Sequence, residues 1–265
     1  MLKNIVLLPS SCGQLKKGVK NFPGFISSFI KPTYIINKPL MKYCTDNIYV
    51  KLLDLYNVIH PHRKSINIGG DHSIAIPSGA ASLNKYKDVK FIWIDAHADI
   101  NTYESSKTKN YHGMPLAFLT GMDTNPLFPY IWNHLPFKNL YYVGIRDLDQ
   151  FETETIEKHN IKYTLSKDVN KNPKAVYDQL SLFINKSPVH ISFDVDAIDP
   201  KYISTTGTPV PNGLEIEAAK ELLDLIMKNE FVVALDIVEM NIEVDPDNKD
   251  KSLMNFKYLF SDIFD

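Results

Sequence analysis

Short apolar segments recur along the chain, and most of them lead directly into a polar or glycine-rich cluster. They lie at residues 5–8, 65–68, 90–94, 140–145, 189–193 and 231–237. Most are continuously apolar rather than alternating, which is typical of strands in a parallel sheet that is buried on both faces. A sheet of this kind needs helices on both sides, so this pattern restricts the possible folds more than any other feature.

The segments between these predicted strands favour helices. Residues 75–86 are rich in small side chains, residues 173–184 begin with a proline, and residues 215–227 carry apolar side chains at intervals of three and four. Alternation of strands and helices predicts an α/β fold, a three-layer αβα sandwich with a central, mostly parallel sheet. No repeat or low-complexity linker divides the 265 residues, so we expect a single domain, residues 1–265.

Composition excludes several classes of partner. The formal net charge is −2 and the pI is about 6.4, so the chain lacks the basic field expected for binding nucleic acid or an anionic membrane. Cys12 and Cys44 fit neither a disulfide framework nor a zinc site, which favours a reducing compartment. The apolar run at residues 5–8 is shorter than a signal-peptide core, and no stretch approaches the roughly 20 residues of a membrane span. We therefore expect a cytoplasmic protein.

Polar clusters follow three of the predicted strands. They are Gly69-Gly70-Asp71-His72, the alternating residues Asp95, His97 and Asp99, and the pair Asp194 and Asp196. In open α/β sheets ligands bind beyond the carboxyl ends of the strands, and all three clusters lie there. If the backbone remains extended, residues at i, i+2 and i+4 project from one face, so each set is expected to point towards a common centre.

The charge of these clusters indicates a metal site. Four carboxylates, from Asp95, Asp99, Asp194 and Asp196, would repel one another at buried strand ends unless cations lay among them. Two divalent cations would balance their charge, and mixed oxygen and nitrogen donors suit Mn²⁺. A single aspartate at such a position is more often a cap, and a single histidine a hydrogen-bonded core residue. The set as a whole favours metal, because the nearest lysines in the sequence, Lys90 and Lys201, lie outside these strand ends.

Three motifs resemble the signatures of the arginase/agmatinase (ureohydrolase) family. They are Gly69-Gly70-Asp71-His72-Ser73, Asp95-Ala96-His97-Ala98-Asp99 and Ser192-Phe193-Asp194-Val195-Asp196-Ala197-Ile198-Asp199-Pro200. The resemblance runs from Gly13-Gln14 to Glu239-Met240-Asn241, and three separated motifs in the right order are far more specific than one.

This resemblance implies a binuclear manganese site. One ion would be held by His72, Asp95, Asp99 and Asp194, and the other by Asp95, His97, Asp194 and Asp196. Two ions about 3.5–4 Å apart can share a water molecule and lower its pKa. By the same resemblance, Asp99 would orient the attacking water, His112 would donate a proton to the leaving amine, and Glu239 would pair with the substrate guanidinium.

The predicted loop at residues 101–111 resembles arginases more than agmatinases, which predicts L-arginine as the substrate. The substrate-binding residues implied by the resemblance are Asn101, Ser106, Thr108 and Asn110 for the α-carboxylate, Asp149 with Glu152 behind it for the α-amine, and Thr208 in the pocket. Two lysines in this loop, Lys107 and Lys109, stand where small residues are usual, and a cation there could help to bind a carboxylate. A second long loop is predicted at residues 120–138.

We therefore predict an arginase-type hydrolase that converts L-arginine to L-ornithine and urea. Three alternatives share its chemistry: an agmatinase, a guanidinobutyrase or a formimidoylglutamase. A non-catalytic homologue is disfavoured because all six ligand positions carry competent residues, and a single-zinc deacylase is disfavoured by His72 and Asp99. The resemblance implies a homo-oligomer, a trimer or hexamer, although the sequence lacks the long C-terminal extension of many arginases.

Overall fold

The described residues form one sheet in which neighbouring strands pair in parallel. The computed structural model describes residues 4–30, 34–35, 47–62, 64–124 and 128–264. The strands are β1 (Asn4–Leu8), β2 (Tyr34–Ile35), β3 (Ser65–Gly69), β4 (Lys90–Ile94), β5 (Leu140–Val143), β6 (Lys162–Thr164), β7 (Val189–Asp194) and β8 (Val232–Val238). Their order across the sheet is β2-β1-β3-β8-β7-β4-β5-β6.

Helices cover both faces of this sheet. They are α1 (Phe22–Ile26), α2 (Ile48–Ile59), α3 (Ala75–Lys85), α4 (Pro115–Thr120), α5 (Gln150–Lys158), α6 (Ser166–Lys171), α7 (Pro173–Ile184), α8 (Ile216–Met227), α9 (Lys249–Leu259) and α10 (Ser261–Phe264). Apolar side chains of α1 and α6–α9 pack with one face of the strands, and those of α2–α5 pack with the other. The predicted three-layer αβα sandwich is confirmed.

The order of the strands brings the ends of four of them together. β3 and β4 are consecutive strands of the chain but lie three positions apart in the sheet, and β8 and β7 occupy the two positions between them. The carboxyl ends of β3, β8, β7 and β4 are therefore adjacent in the middle of the sheet, where α/β folds place ligands. No helix among the described residues is long and apolar enough to cross a membrane.

Most predicted elements agree with the structure to within a residue or two, and the differences have local causes. The predicted strand 140–145 ends early, at Val143, because Gly144 has φ 92° and turns the backbone. The edge strands β2 and β6 were not predicted: β2 has only two residues, and β6 exposes Lys162 and Tyr163, so neither produces an apolar run. Cys44, which contributed to the prediction of a reducing compartment, lies outside the described residues. Residues 125–127 of the predicted loop 120–138 also lie outside them.

Candidate active site

The predicted metal ligands converge at the carboxyl ends of β3, β4 and β7. The Nδ1 atom of His72, just after β3, lies 2.8 Å from Asp99 Oδ2, 3.2 Å from Asp95 Oδ2 and 3.2 Å from Asp194 Oδ2. His72 and Asp95 are each only 1% exposed and Asp194 is 3% exposed. These side chains form the first of two candidate ligand groups.

The second candidate group is centred on His97. Its Nδ1 atom lies 3.1 Å from Asp196 Oδ2 and 3.5 Å from Asp95 Oδ1. Asp95 thus contributes one carboxylate oxygen to each group, which is the arrangement of a bridging ligand. The backbone N–H of Asp196 donates to Asp194 Oδ1 over 2.8 Å and so keeps the carboxylates of Asp194 and Asp196 together.

The ligands converge for a different reason from the one the sequence suggests. The prediction of an extended i, i+2, i+4 face is wrong, because β4 ends at Ile94 and Asp99 has φ 51°. Asp196 lies in a 3₁₀ turn (Val195–Ala197) rather than in β7. Non-glycine residues rarely adopt positive φ, and such residues concentrate at functional sites. Turns at the strand ends, not strand periodicity, therefore bring the side chains together.

The carboxyl groups of the cluster resist ionisation in the absence of cations. Burial and the neighbouring Asp95 raise the pKa of the Asp99 carboxyl to about 6. Burial, Asp196 and Asp95 raise the pKa of Asp194 well above its usual value. Asp95 differs, because the imidazoles of His72 and His97 outweigh its burial and lower its pKa. A positive charge among these groups would relieve the repulsion that disfavours their ionised forms.

One atom of His72 provides a direct test of whether the site fits a metal. Three carboxylate oxygens lie within 3.2 Å of the buried Nδ1, yet it makes no hydrogen bond. The other ring nitrogen, Nε2, lies 2.7 Å from the hydroxyl oxygen of Ser192. If Nε2 donates its proton to Ser192, the lone pair of Nδ1 faces three further electron donors, a geometry that a cation among them would stabilise. The donor set therefore fits metal ions, and its oxygen-nitrogen mixture fits manganese.

Two residues to which the sequence analysis gave no role hold the ligands in place. Ser192 lies on β7 beside His72, and the indole N–H of Trp93 on β4 donates to Asp95 Oδ2 over 3.0 Å. Trp93 also stacks on the imidazole of His72, with 4.3 Å between ring centroids. Partners of this kind fix the tautomer and orientation of metal ligands.

Arg146, just beyond β5, ties the second ligand group to a neighbouring loop. An arginine has five N–H donors, and here all five are directed at backbone carbonyls. The acceptors are Pro211 for Nε (3.1 Å), Gly144 (3.1 Å) and Ala197 (3.2 Å) for Nη1, and Asp196 (2.7 Å) and Val210 (2.8 Å) for Nη2. Arg146 is thus a cation close to the cluster, although its distance from the ligands in the sequence did not indicate this. It binds backbone carbonyl oxygens rather than the ligand carboxylates.

A cavity of about 280 Å³ opens beside the two ligand groups. The predicted catalytic residues Asp99, His112 and Glu239 all line it. His112 Nδ1 lies 3.2 Å from Glu239 Oε1, and although burial opposes protonation, Glu239 raises the pKa of His112 to about 9. Glu239 directly follows β8 with φ 68°.

Gln14, to which the sequence analysis gave no role, fixes the Glu239 carboxylate. Its Nε2 donates to Oε1 over 2.9 Å and to Oε2 over 2.7 Å. The backbone N–H of His72 also donates to Oε1, over 2.8 Å. The carboxylate is therefore held in place from the β1 and β3 sides, and only the resemblance of Gly13-Gln14 could have indicated this role.

Most of the predicted substrate-binding residues also line the cavity. They are Asn101, Ser106, Thr108, Asp149, Glu152 and Thr208. Asn101 Nδ2 donates to Asp149 Oδ2 over 2.8 Å, and Thr208 Oγ1 donates to Asp196 Oδ2 over 3.0 Å. Asp149 and Glu152 also form the capping box of α5, so they have a structural role as well as the predicted one. Asn110 is not among the lining residues, while Lys107 is.

The fold and its clustered donor groups define an α/β protein with a candidate metal centre, and comparison with known proteins agrees with this fold. The Arginase family model matches residues 41–262. The chain is 32% identical to the arginase of Saccharomyces cerevisiae over 90% of this chain and 86% of the yeast protein. It is 38% identical to the arginase of Neurospora crassa over 69% of this chain, but this match spans only 56% of the fungal protein.

Solved structures give the same result. The arginase of Entamoeba histolytica in complex with L-ornithine has a TM-score of 0.86 and 29% identity over 97% of each chain. The arginase of Bacillus cereus also has a TM-score of 0.86, with 26% identity over 98% of this chain and 97% of that one. The chain belongs to the arginase family, whose members are hydrolases, and the family prediction is confirmed.

Proposed function

We propose that the chain hydrolyses the guanidinium group of L-arginine to L-ornithine and urea with two Mn²⁺ ions per chain. The observation that carries the proposal is the buried Nδ1 of His72, which faces three carboxylates without a hydrogen bond at the edge of the 280 Å³ cavity. His72, Asp95, Asp99 and Asp194 would hold one ion, and Asp95, His97, Asp194 and Asp196 the other. Bound ions of this kind lower the pKa of a shared water molecule and so supply a nucleophile at neutral pH.

The guanidinium carbon is a poor electrophile because resonance spreads its charge, so the substrate must be held in place. Glu239 would accept hydrogen bonds from the guanidinium N–H groups, and Gln14 keeps its carboxylate in place. Asp99 would accept a hydrogen bond from the attacking water and orient it. His112, whose pKa of about 9 keeps it protonated at neutral pH, would give its proton to the leaving amine.

The remaining cavity residues would recognise the amino-acid end of arginine. Asp149, with Glu152 behind it, would accept the α-amine, while Asn101, Ser106 and Thr108 would face the α-carboxylate and Thr208 would contact the substrate. The position of Asn110 outside the cavity lining gives it the least support. The ornithine complex of the related E. histolytica arginase supports an amino-acid ligand of this size.

Release of urea from Mn²⁺-loaded protein tests this proposal, with L-arginine and agmatine compared at equal concentration. Urea from L-arginine alone is the expected result. Urea from agmatine alone would keep the metal site but contradict the substrate assignment. If neither yields urea, guanidinobutyrate and formimidoylglutamate are the next substrates to test, and no turnover of any of them would indicate a non-catalytic homologue.

We infer further that the chain forms a single domain and works as a cytoplasmic homo-oligomer. The single sheet shared by all described strands supports the first inference. A trimer or hexamer follows from the family resemblance alone, and light scattering coupled to size exclusion would measure it directly.

A further inference from the structure

Lys107 is the one lysine or arginine among the described residues that line the candidate active-site cavity. The lining also contains six carboxylate side chains, those of Asp99, Asp149, Glu152, Asp194, Asp196 and Glu239. A lysine in so acidic a cavity is unusual, because a cavity made to bind a purely cationic substrate gains nothing from an added positive charge in its wall.

The charges of the cavity match a zwitterionic amino acid once the metal ions are counted. Two divalent cations balance the four ligand carboxylates. Of the three lining carboxylates that remain, Glu152 accepts the backbone N–H of Asp149 in the capping box of α5. Glu239, beside His72, and Asp149, at the N-cap of α5, are then the two anionic groups available for the two cationic ends of arginine. Lys107 then supplies a positive charge for the α-carboxylate, which in agmatine is absent.

The two lysines of the loop differ in the structure. Lys109 is engaged outside the cavity, because its Nζ donates to the carbonyl oxygens of Tyr103 and Glu104 and lies 4.9 Å from the ring centroid of Tyr103. Across the described part of the chain, no hydrogen bond or ion pair of the Lys107 side chain is found, and the residue is exposed. Lys107 is thus available to an incoming ligand, while Lys109 already has partners.

The loop also presents Lys107 in a defined position. The backbone N–H of Lys109 donates to Ser106 Oγ over 3.0 Å, and that of Asn110 donates to Thr108 Oγ1 over 3.3 Å. Ser106 itself is buried, so the residue before Lys107 is anchored against the protein. A short, locally hydrogen-bonded loop restricts the positions that a lysine can take, which lowers the entropic cost of holding a ligand.

We propose that Lys107 is a specificity-determining residue that binds the α-carboxylate of the substrate and so selects an amino acid over its decarboxylated analogue. This inference rests on the proposed function, because it concerns the same cavity. In this assignment Lys107 takes the place of Asn110, which does not line the cavity. The positive charge of Lys107 provides a contact that the neutral side chains of the loop cannot provide. A charge-assisted hydrogen bond from lysine to carboxylate is about twice as strong as a neutral one.

Three variants test this proposal: Lys107→Gln, Lys109→Gln as the matched control, and Lys107→Arg as the conservative replacement. With Mn²⁺-loaded protein, Lys107→Gln should raise KM for L-arginine about five- to tenfold with little change in kcat, because the contact is equally present in the ground state and the transition state. KM for any residual hydrolysis of agmatine should stay the same or fall. Lys109→Gln should behave as the wild type, and Lys107→Arg should restore most of the affinity.

Binding of the two possible products provides a readout that does not depend on turnover. In calorimetry, Lys107→Gln should weaken binding of L-ornithine and leave putrescine unaffected, since putrescine lacks the carboxylate. Equal effects of Lys107→Gln and Lys109→Gln, or an equal loss of ornithine and putrescine binding, would overturn the role of Lys107. Failure of the wild type to release urea from L-arginine would instead contradict the proposed function, and the product-binding comparison would still decide the role of Lys107.

Discussion

The candidate ligand groups at the ends of the central strands and the loop 101–111 lie beside the same cavity, but they are held in different ways. His72, Asp95 and Asp196 are each 1% exposed and are fixed by strands, backbone N–H groups and neighbouring side chains. The loop carries exposed residues, among them Lys107 and Thr108, and its hydrogen bonds are mostly to itself. A buried, strand-anchored region suits chemistry that needs fixed geometry, whereas a self-supporting surface loop can change its side chains without disturbing the core.

Removal of a ligand from the anchored region should have the largest effect. Asp196→Ala removes a carboxylate oxygen that lies 3.1 Å from His97 and accepts the hydroxyl of Thr208. We expect loss of one metal ion per chain and a fall in kcat of about a thousandfold, because a metal ion contributes several kcal/mol to such reactions. Metal analysis and urea release measure both effects. Asp178→Ala, at an exposed position of α7, is the control, and an active Asp196→Ala variant would refute the ligand assignment.

A substitution of Arg146 tests whether a residue outside the candidate ligand groups also holds the ligands in place. Arg146→Lys keeps the positive charge but cannot supply five directed donors to the carbonyls of residues 144, 196–197 and 210–211. Loss of such support around a metal ligand should weaken metal binding about 10- to 100-fold. A titration with Mn²⁺ measures this, with Lys201→Gln as the control because Lys201 is exposed and pairs with Glu215. Unchanged metal affinity would limit Arg146 to a role in general stability.

Asp149 lies at the border of the two regions, since it caps α5 and also lines the cavity. Asp149→Asn preserves an oxygen that can cap the helix and removes only the charge, so the fold should be retained. We expect KM for L-arginine to rise about tenfold, with a smaller effect on guanidinobutyrate, which lacks the α-amine. Steady-state kinetics with both compounds measures the difference. Equal increases would remove Asp149 from the α-amine site.

Asn110 should give the smallest effect of the residues that the resemblance implicated. Because Asn110 does not line the cavity, Asn110→Ala should change KM for L-arginine by less than about twofold, close to the behaviour of an ordinary surface substitution. Asn101→Ala is the informative counterpart, since Asn101 lines the cavity and donates to Asp149. If Asn110→Ala proved the more harmful of the two, the loop would have to adopt another conformation with substrate bound.

The sequence was sufficient to predict the αβα fold because the central strands are continuous apolar runs with flanking polar clusters. It could not predict β2 and β6, whose stability comes from pairing at the sheet edges rather than from an apolar sequence. Helix α2, from Ile48 to Ile59, was also missed, although Asn47 caps it and Leu52 and Leu55 are buried. Its apolar residues lie close together in sequence, without the polar spacing that identified α8.

The residues of the candidate site were likewise predictable only in part from the sequence. Six candidate ligands were recognisable because acidic residues and histidines at buried strand ends need compensation. The supporting residues were not recognisable, because Ser192, Gln14 and Arg146 act through hydrogen bonds between segments that are distant in the sequence. Trp93 likewise stacks on His72, which belongs to another segment. The different positions of Lys107 and Lys109 likewise depend on the path of the loop, which the sequence alone does not specify.

Crystallography with anomalous scattering at the manganese edge would show whether the chain holds two metal ions. We expect two manganese peaks per chain, one between His72 and Asp99 and one between His97 and Asp196, with Asp95 and Asp194 contacting both. A single peak, or manganese bound away from the ends of β3, β4 and β7, would contradict a two-metal centre and with it the proposed hydrolysis of arginine.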